Sequence, residues 1–247
     1  MTEIAIAYDV PTLERALALD ERLGEGPEVA KVGLELFTAA GPAAVTALKE
    51  RGRRVFLDLK LHDIPNTVRG AARAAARLGA DLLTVHATGG HAMIAAAVAG
   101  AAEAGGATRV IAVTILTSLD TYNLPPGFQE PFHLAMVAPK LLALAESAGA
   151  HGIVCAAADL PAIRMMHGKP FFAVTPGIRP EGVPADDQRR VTTIGEAVRM
   201  GSSLLVLGRA ITAARAPDEA LAAARAERDA ALAAGGGALA TQGQPSA

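Results

Sequence analysis

Cysteine is nearly absent from this sequence, with Cys155 standing alone among 247 residues. A lone thiol can form neither an intramolecular disulfide nor the cysteine cluster of a structural zinc site, and it suits a reducing cytoplasm. An excess of one charge is also lacking. The 23 basic and 25 acidic residues leave a formal net charge of −2, so no global field would hold the chain on nucleic acid or an anionic membrane. Long apolar runs are missing too, because Gly, charged or polar residues interrupt every candidate before the roughly 18 residues needed to span a bilayer. The N-terminus begins with an acidic residue, Glu3, and its apolar run is too short for a secretory signal. His62, His91, His133, His151 and His167 show no metal-ligand spacing. These absences leave a soluble, cytoplasmic protein whose partners are small molecules, with no metal expected.

What is present is apolar material. Hydrophobic residues make up 51% of the chain, enough for one large core and a single domain of barrel size. Short β-rich runs are read at Glu3–Tyr8, Val29–Gly33, Arg54–Asp58, Leu82–His86, Val110–Thr114, Gly152–Cys155, Phe171–Thr175 and Ser203–Leu207. Alanine-rich stretches with helical spacing separate them, such as Leu13, Ala16, Leu17 and Leu23 ahead of Gly24, and Val68, Ala72, Ala75 and Leu78 ahead of Gly79. Each of these glycines is expected to follow a helix end. Thr193 and Glu196 have the spacing of a capping box. Pro139 is expected to kink or divide the helical stretch 132–148.

The strands read as nearly continuous apolar runs, the pattern of a parallel sheet covered on both faces. Strand–helix units in this number predict an α/β fold of the (β/α)8 TIM-barrel type, occupying residues 1–233. A doubly wound open sheet gives the same alternation, which does not by itself reveal closure. Residues 234–247 carry Gly, Ser, Gln and Pro without periodicity and are expected to be disordered.

Barrel chemistry sits at the carboxyl ends of the strands, and polar residues gather there. Asp9 follows the first run and Lys31 lies in the second. Asp58 and Lys60 end the third, with Asp63 just beyond, and His86 ends the fourth. Asp58 and Lys60 are two apart, so on an extended strand both face the barrel mouth, with Lys31 from the neighbouring strand beside Asp58. The set forms either an ion-pair network closing the barrel top or a functional site. A second cluster, Gly208-Arg209, follows the last strand and opens a helix. There a glycine admits an anion to the backbone, the helix start adds positive potential, and Arg209 offers a bidentate contact to phosphate. Arg179 comes from the adjoining strand and is placed to reach the same group. The competing reading is a glycine turn with a solvated arginine. His86 is assigned an orienting hydrogen-bond role, Cys155 an inert place in the core, and Asp186-Asp187 a solvated loop face.

The segment Asp58-Leu-Lys60-Leu-His-Asp63-Ile-Pro-Asn-Thr67 resembles the signature of the orotidine 5′-phosphate decarboxylase family. The resemblance continues, in family order, through Lys31-Val-Gly-Leu-Glu-Leu-Phe, Thr84-Val-His86-Ala, Leu116-Thr117-Ser118, Thr175-Pro176-Gly-Ile-Arg179, Asp187-Gln188-Arg189-Arg190-Val and Val206-Leu-Gly208-Arg209. It covers residues 4 to about 220. It implies decarboxylation of orotidine 5′-monophosphate to UMP, the last step of pyrimidine nucleotide synthesis, without metal or organic cofactor.

Lys60 is then the proton donor, Asp58 lies beside the departing carboxylate, and Lys31 completes the charge network. Asp63 and Thr67 are implied to reach a partner subunit's site in a homodimer. The resemblance assigns Asp9 and Lys31 to the ribose hydroxyls and Thr117 and Ser118 to the base. It puts Pro176 in the substrate pocket and Arg179, Gln188, Gly208 and Arg209 at the phosphate. Tyr8 departs from the family pattern where an aliphatic residue is expected, and Thr193 stands where proline is common. The alternative readings are a metal-dependent sugar-phosphate decarboxylase or aldolase of the same barrel group, and a non-catalytic nucleotide-binding barrel. The Asp58–Thr67 segment argues against the first, and the buried charges, which raise the cost of folding, argue against the second.

Overall fold

A computed structural model describes residues 2–119, 134–181 and 192–240 of the chain. The strands are β1 (Glu3–Ala7), β2 (Val29–Val32), β3 (Val55–Leu61), β4 (Leu82–His86), β5 (Arg109–Val113), β6 (Gly152–Val154), β7 (Phe172–Arg179), β8 (Thr192–Thr193) and β9 (Leu204–Leu207). All pairings are parallel. They run in chain order from β1 to β7, then to β9, which pairs back onto β1. Closure settles the choice between barrel and open sheet in favour of an eight-stranded (β/α)8 barrel, because the β6–β7 and β9–β1 ladders leave no edge in the ring. The two-residue β8 adds only to the end of β7.

The helices are α1 (Leu13–Arg22), α2 (Leu34–Ala40), α3 (Pro42–Glu50), α4 (Pro65–Arg77), α5 (Gly90–Ala102), α6 (Leu134–Ser147), α7 (Leu160–His167), α8 (Ile194–Arg199), α9 (Arg209–Thr212) and α10 (Pro217–Ala240). Local chemistry sets several of their ends. The Thr12 hydroxyl accepts from the Arg15 N–H to start α1. The expected capping box forms at α8, where Thr193 accepts from the Glu196 N–H and Glu196 accepts from the Thr193 N–H. Gly24 and Gly79 lie just past α1 and α4 with φ of 63° and 83°, values that favour glycine.

Alternation along the strands divides the core into two layers. One face of each strand, with residues such as Ile4, Ile6, Val32, Leu57, Leu83 and Val85, packs against the helices. The other face fills the barrel with Ala5, Ala7, Val29, Phe56, Leu82, Ile111, Val113, Val154, Val174, Leu204 and Val206. Burial of so many apolar groups supplies the main driving force for the fold. Small residues let the outer elements approach closely. A Cβ at Gly100 of α5 would lie 2.1 Å from the Arg69 carbonyl oxygen of α4, so any side chain there would force the two helices apart.

Several expected boundaries shift. β3 runs to Leu61 rather than stopping at Asp58, and β7 runs to Arg179 rather than Thr175. In both, a register irregularity in the ladder to the neighbouring strand carries the chain past the end of the apolar run. Pro139 lies inside α6, which is one element over Leu134–Ser147. The last helix runs over Pro217–Ala240, through Gly235-Gly236-Gly237 and into the stretch 234–247 expected to be disordered; residues 241–247 are outside the described set. Among the described residues no helix is long and apolar enough to cross a membrane.

Candidate active site

The inward faces of the strands change character at the carboxyl end of the barrel. Two residues beyond the interior positions Ala7, Val29, Phe56 and Leu82 stand Asp9, Lys31, Asp58 and Thr84. The period of two that buries an apolar layer thus sets a polar layer directly above it. A cavity of about 500 Å³ opens over that layer, within the range of small-molecule sites. Asp9, Lys31, Asp58 and Lys60 line one part of it, and Pro176, Arg179, Gly208 and Arg209 another.

The charges form a row. Asp9 Oδ1 accepts from Lys31 Nζ at 2.9 Å, Lys31 Nζ lies 3.9 Å from Asp58 Oδ2, and that oxygen accepts from Lys60 Nζ at 2.8 Å. Exposure is lowest in the middle of the row. The Lys31 and Asp58 side chains are 9% and 13% exposed, so their charges interact with little screening by water, while Lys60 at 29% reaches into the cavity. Gly33 permits the first pair: a Cβ there would meet Asp9 Oδ1 at 2.7 Å and Lys31 Nζ at 2.9 Å.

Asp58 and Lys60 converge, but not by simple strand alternation. Lys60 has φ of 50°, the only positive value at a non-glycine among the described residues. A long side chain in this left-handed conformation costs on the order of 1–3 kcal/mol, strain of the kind that collects at functional sites. The β3–β4 ladder slips between Leu57 and Leu61 to accommodate it. The Lys60 N–H donates instead to Thr84 Oγ1 at 2.9 Å, and Thr84 Oγ1 donates to Asp58 Oδ1 at 2.9 Å.

His86, at the end of β4, is half-buried, with its ring centroid 5.2 Å from that of His62. Burial first, then His62 and Lys60, push its pKa below the usual histidine value against an opposing pull from Asp58, so the neutral imidazole is favoured. On the opposite rim Arg179 is 7% exposed at the end of β7. The helix that Arg209 opens is a single turn of four residues. The positive potential expected from the helix start is therefore small, and the positive charge on this wall comes from the two arginines. Open space surrounds Gly208, where a Cβ would touch nothing within 4 Å.

The structure brings Asp9, Lys31, Asp58, Lys60, Pro176, Arg179, Gly208 and Arg209 to one cavity. Other expected residues lie elsewhere. Asp63 and Thr67 sit on the exposed stretch 62–67 that leaves β3 and starts α4, with Asp63 Oδ1 accepting from the Ile64 N–H. Thr117 and Ser118 form a turn after β5 and are not part of the cavity wall. Gln188, with Asp186 and Asp187, lies outside the described residues. Cys155 is fully buried in the outer core layer. Among the described residues no group of His, Cys, Asp or Glu could hold a metal ion.

Sequence reasoning missed Thr84, Gly33 and Glu35, the last of which lines the cavity from the first turn of α2. Gly33 and Glu35 both lie in the Lys31-Val-Gly-Leu-Glu-Leu-Phe segment of the resemblance, a signal that was available. Thr84 opens the Thr84-Val-His86-Ala segment of the resemblance, but its place in an apolar run gives no hint of a role.

The family model described as "Orotidine 5'-phosphate decarboxylase / HUMPS family" matches residues 2–224. A protein of Moorella thermoacetica named orotidine 5′-phosphate decarboxylase is 50% identical over 229 residues, covering 91% of this chain and 90% of that protein. Another of that name from Cutibacterium acnes is 48% identical over 229 residues, covering 93% and 96%. Among solved structures, the orotidine 5′-phosphate decarboxylase of Lactobacillus acidophilus superposes with a TM-score of 0.81 at 35% identity, over 92% of this chain and 99% of that one.

Proposed function

The chain belongs to the orotidine 5′-phosphate decarboxylase / HUMPS family, and from that premise we propose that it decarboxylates orotidine 5′-monophosphate to UMP with Lys60 as the proton donor. The activity itself is that of the named relatives at about half identity over nearly the whole chain. The site residues add the mechanism. A single observation carries it: an ammonium held 2.8 Å from a partly buried carboxylate, reaching into a cavity whose other wall carries two arginines.

Decarboxylation breaks the bond between carbon six of the pyrimidine and its carboxylate, and the electron pair stays on the ring. That carbon has no adjacent carbonyl to take up the charge. Lys60 Nζ stabilises the pair electrostatically and then transfers a proton to it, forming the carbon–hydrogen bond of UMP. Asp58 lies beside the departing carboxylate and holds Lys60 in place, while Lys31 flanks Asp58 from the other side at 3.9 Å. Asp9 and Lys31 contact the ribose hydroxyls. Thr117 and Ser118 close on the base, with Pro176 against it. Arg179, Gly208, Arg209 and Gln188 bind the phosphate, and that remote binding energy is available to order the site around the reacting carbon.

The active unit is a homodimer. Exposure of the whole stretch 62–67, including Ile64 at 67%, supports docking of this segment on a second copy. Asp63 and Thr67 then enter the partner's site. A soluble small-molecule enzyme of this kind works in the cytoplasm.

The test follows the absorbance of orotidine 5′-monophosphate with purified protein and a chelator present. Wild type turns over this substrate and not hexulose phosphates, while Lys60→Ala loses at least about 10³-fold in kcat. Equal rates for the two proteins would end the assignment. The shared site is checked by mixing inactive Lys60→Ala with inactive Asp63→Ala: mixed dimers regain activity if Asp63 acts across the interface and stay inactive if it does not.

A further inference from the structure

Thr84 is fully buried on the inward face of β4, two residues beyond the interior residue Leu82. Its hydroxyl has one hydrogen to give and two lone pairs to accept with. The Lys60 N–H can only donate, so at 2.9 Å the Thr84 oxygen is its acceptor. The hydroxyl hydrogen is then left for Asp58 Oδ1, also at 2.9 Å. This places Thr84 at the gap in the β3–β4 ladder, where pairing jumps from Leu57↔Leu83 to Leu61↔Val85. The backbone N–H of Lys60, turned away from the ladder by its left-handed conformation, needs a buried acceptor. One hydroxyl meets that need and ties one oxygen of Asp58, which leaves the other oxygen facing Lys60 Nζ at 2.8 Å and Lys31 Nζ at 3.9 Å.

We propose that Thr84 is a positioning residue for the decarboxylation: its hydroxyl locks the Lys60 turn to the Asp58 carboxylate and so fixes the ammonium against the reacting carbon. The inference rests on the reading that Lys60 and Asp58 carry the chemistry. It makes Thr84 distinct from a residue that merely fills a core position, because the hydroxyl and not the side-chain volume matters. Thr84 does not line the cavity and its strand is not a neighbour of β7 or β9, which lead to the arginines assigned to phosphate, so its loss should act on turnover rather than on substrate affinity.

The test compares Thr84→Val, which keeps the volume and removes the hydroxyl, with Thr84→Ser, which keeps the hydroxyl. Lys60→Ala runs in parallel, and folding is checked by the thermal melt with and without UMP. Thr84→Val should lower kcat by about 10- to 100-fold with KM within about threefold of wild type, as expected for a slight misplacement of a reacting group. Thr84→Ser should restore kcat to within about threefold. Wild-type kcat in Thr84→Val would overturn the proposal, as would loss of kcat in Thr84→Ser equal to that in Thr84→Val. If Thr84→Val does not fold, Thr84→Ser decides alone: kcat near wild type supports the hydroxyl's role, and a tenfold loss refutes it. An active Lys60→Ala would instead overturn the underlying assignment, so the two failures are told apart.

Discussion

Tyr8 and Asp9 are neighbours at the end of β1, yet they enter two different networks of charge. Tyr8 points outward into the helix layer, where its hydroxyl donates to Asp20 Oδ1 of α1 at 2.7 Å. Asp20, with a side chain 2% exposed, also accepts from Arg53 Nε at 2.9 Å and faces Arg51 at 3.5 Å. Burial first, then the bond to Asp20, drive the Tyr8 pKa far above the usual tyrosine value, so the hydroxyl stays protonated and remains a donor. Here one carboxylate is surrounded by three donors, none of the four residues lines the active-site cavity, and none has a positive φ. Asp9 points the other way, into a row where two ammoniums share Asp58, a cavity opens above, and Lys60 bends into a strained conformation. Burial and charge are common to both. A balanced row of two ammoniums and two carboxylates at an open cavity, one ammonium on a strained backbone, separates the proposed reaction centre from a clasp that ties α1 to the approach of β3.

Substitutions in the two networks should therefore split in opposite ways. Lys60→Ala gives the largest effect, a loss of at least about 10³-fold in kcat with a thermal melt close to wild type. Asp20→Ala reverses the pattern. It leaves Tyr8 without its acceptor and Arg53 with only the Gly24 and Glu25 carbonyls, and should cost on the order of 3 kcal/mol in denaturant unfolding, with kcat of the folded fraction unchanged. A strong fall in kcat at full folding in Asp20→Ala would erase the distinction. Gly33→Ala is the finer probe. The added carbon must displace Asp9 or Lys31, so kcat/KM should fall about tenfold while stability changes little.

The smallest effect concerns pH. His86 and His151 are both held below the usual histidine pKa of 6.5, primarily by burial. The unfolded chain therefore binds more protons than the folded one below about pH 6.5, and stability falls as pH drops from there through the lowered values and levels off above. Melts between pH 5 and 7.5 should show this slope, and His151→Gln, far from the chemistry, should flatten it. An unchanged slope in His151→Gln would remove His151 from the account.

Much of this was legible in the sequence because period and spacing carried it. Alternating apolar runs marked the barrel strands, and the step of two from Val29 to Lys31 and from Phe56 to Asp58 moved each strand from core to mouth. The capping box at Thr193 was written in two residues. What could not be read depended on partners distant in sequence. The left-handed turn at Lys60 exists because Thr84, 24 positions on, accepts its N–H, and an extended strand was the natural expectation without that bond. The departure at Tyr8 became intelligible only once Asp20 and Arg53 were beside it.

A crystal structure with UMP bound would test the central claim most directly. The account predicts Lys60 Nζ within about 3.5 Å of carbon six of the ring, with the phosphate on Arg179 and Arg209 at the opposite wall of the cavity. A nucleotide seated with its ring away from Lys60, or with its phosphate on the Lys31–Asp58–Lys60 row, would contradict it.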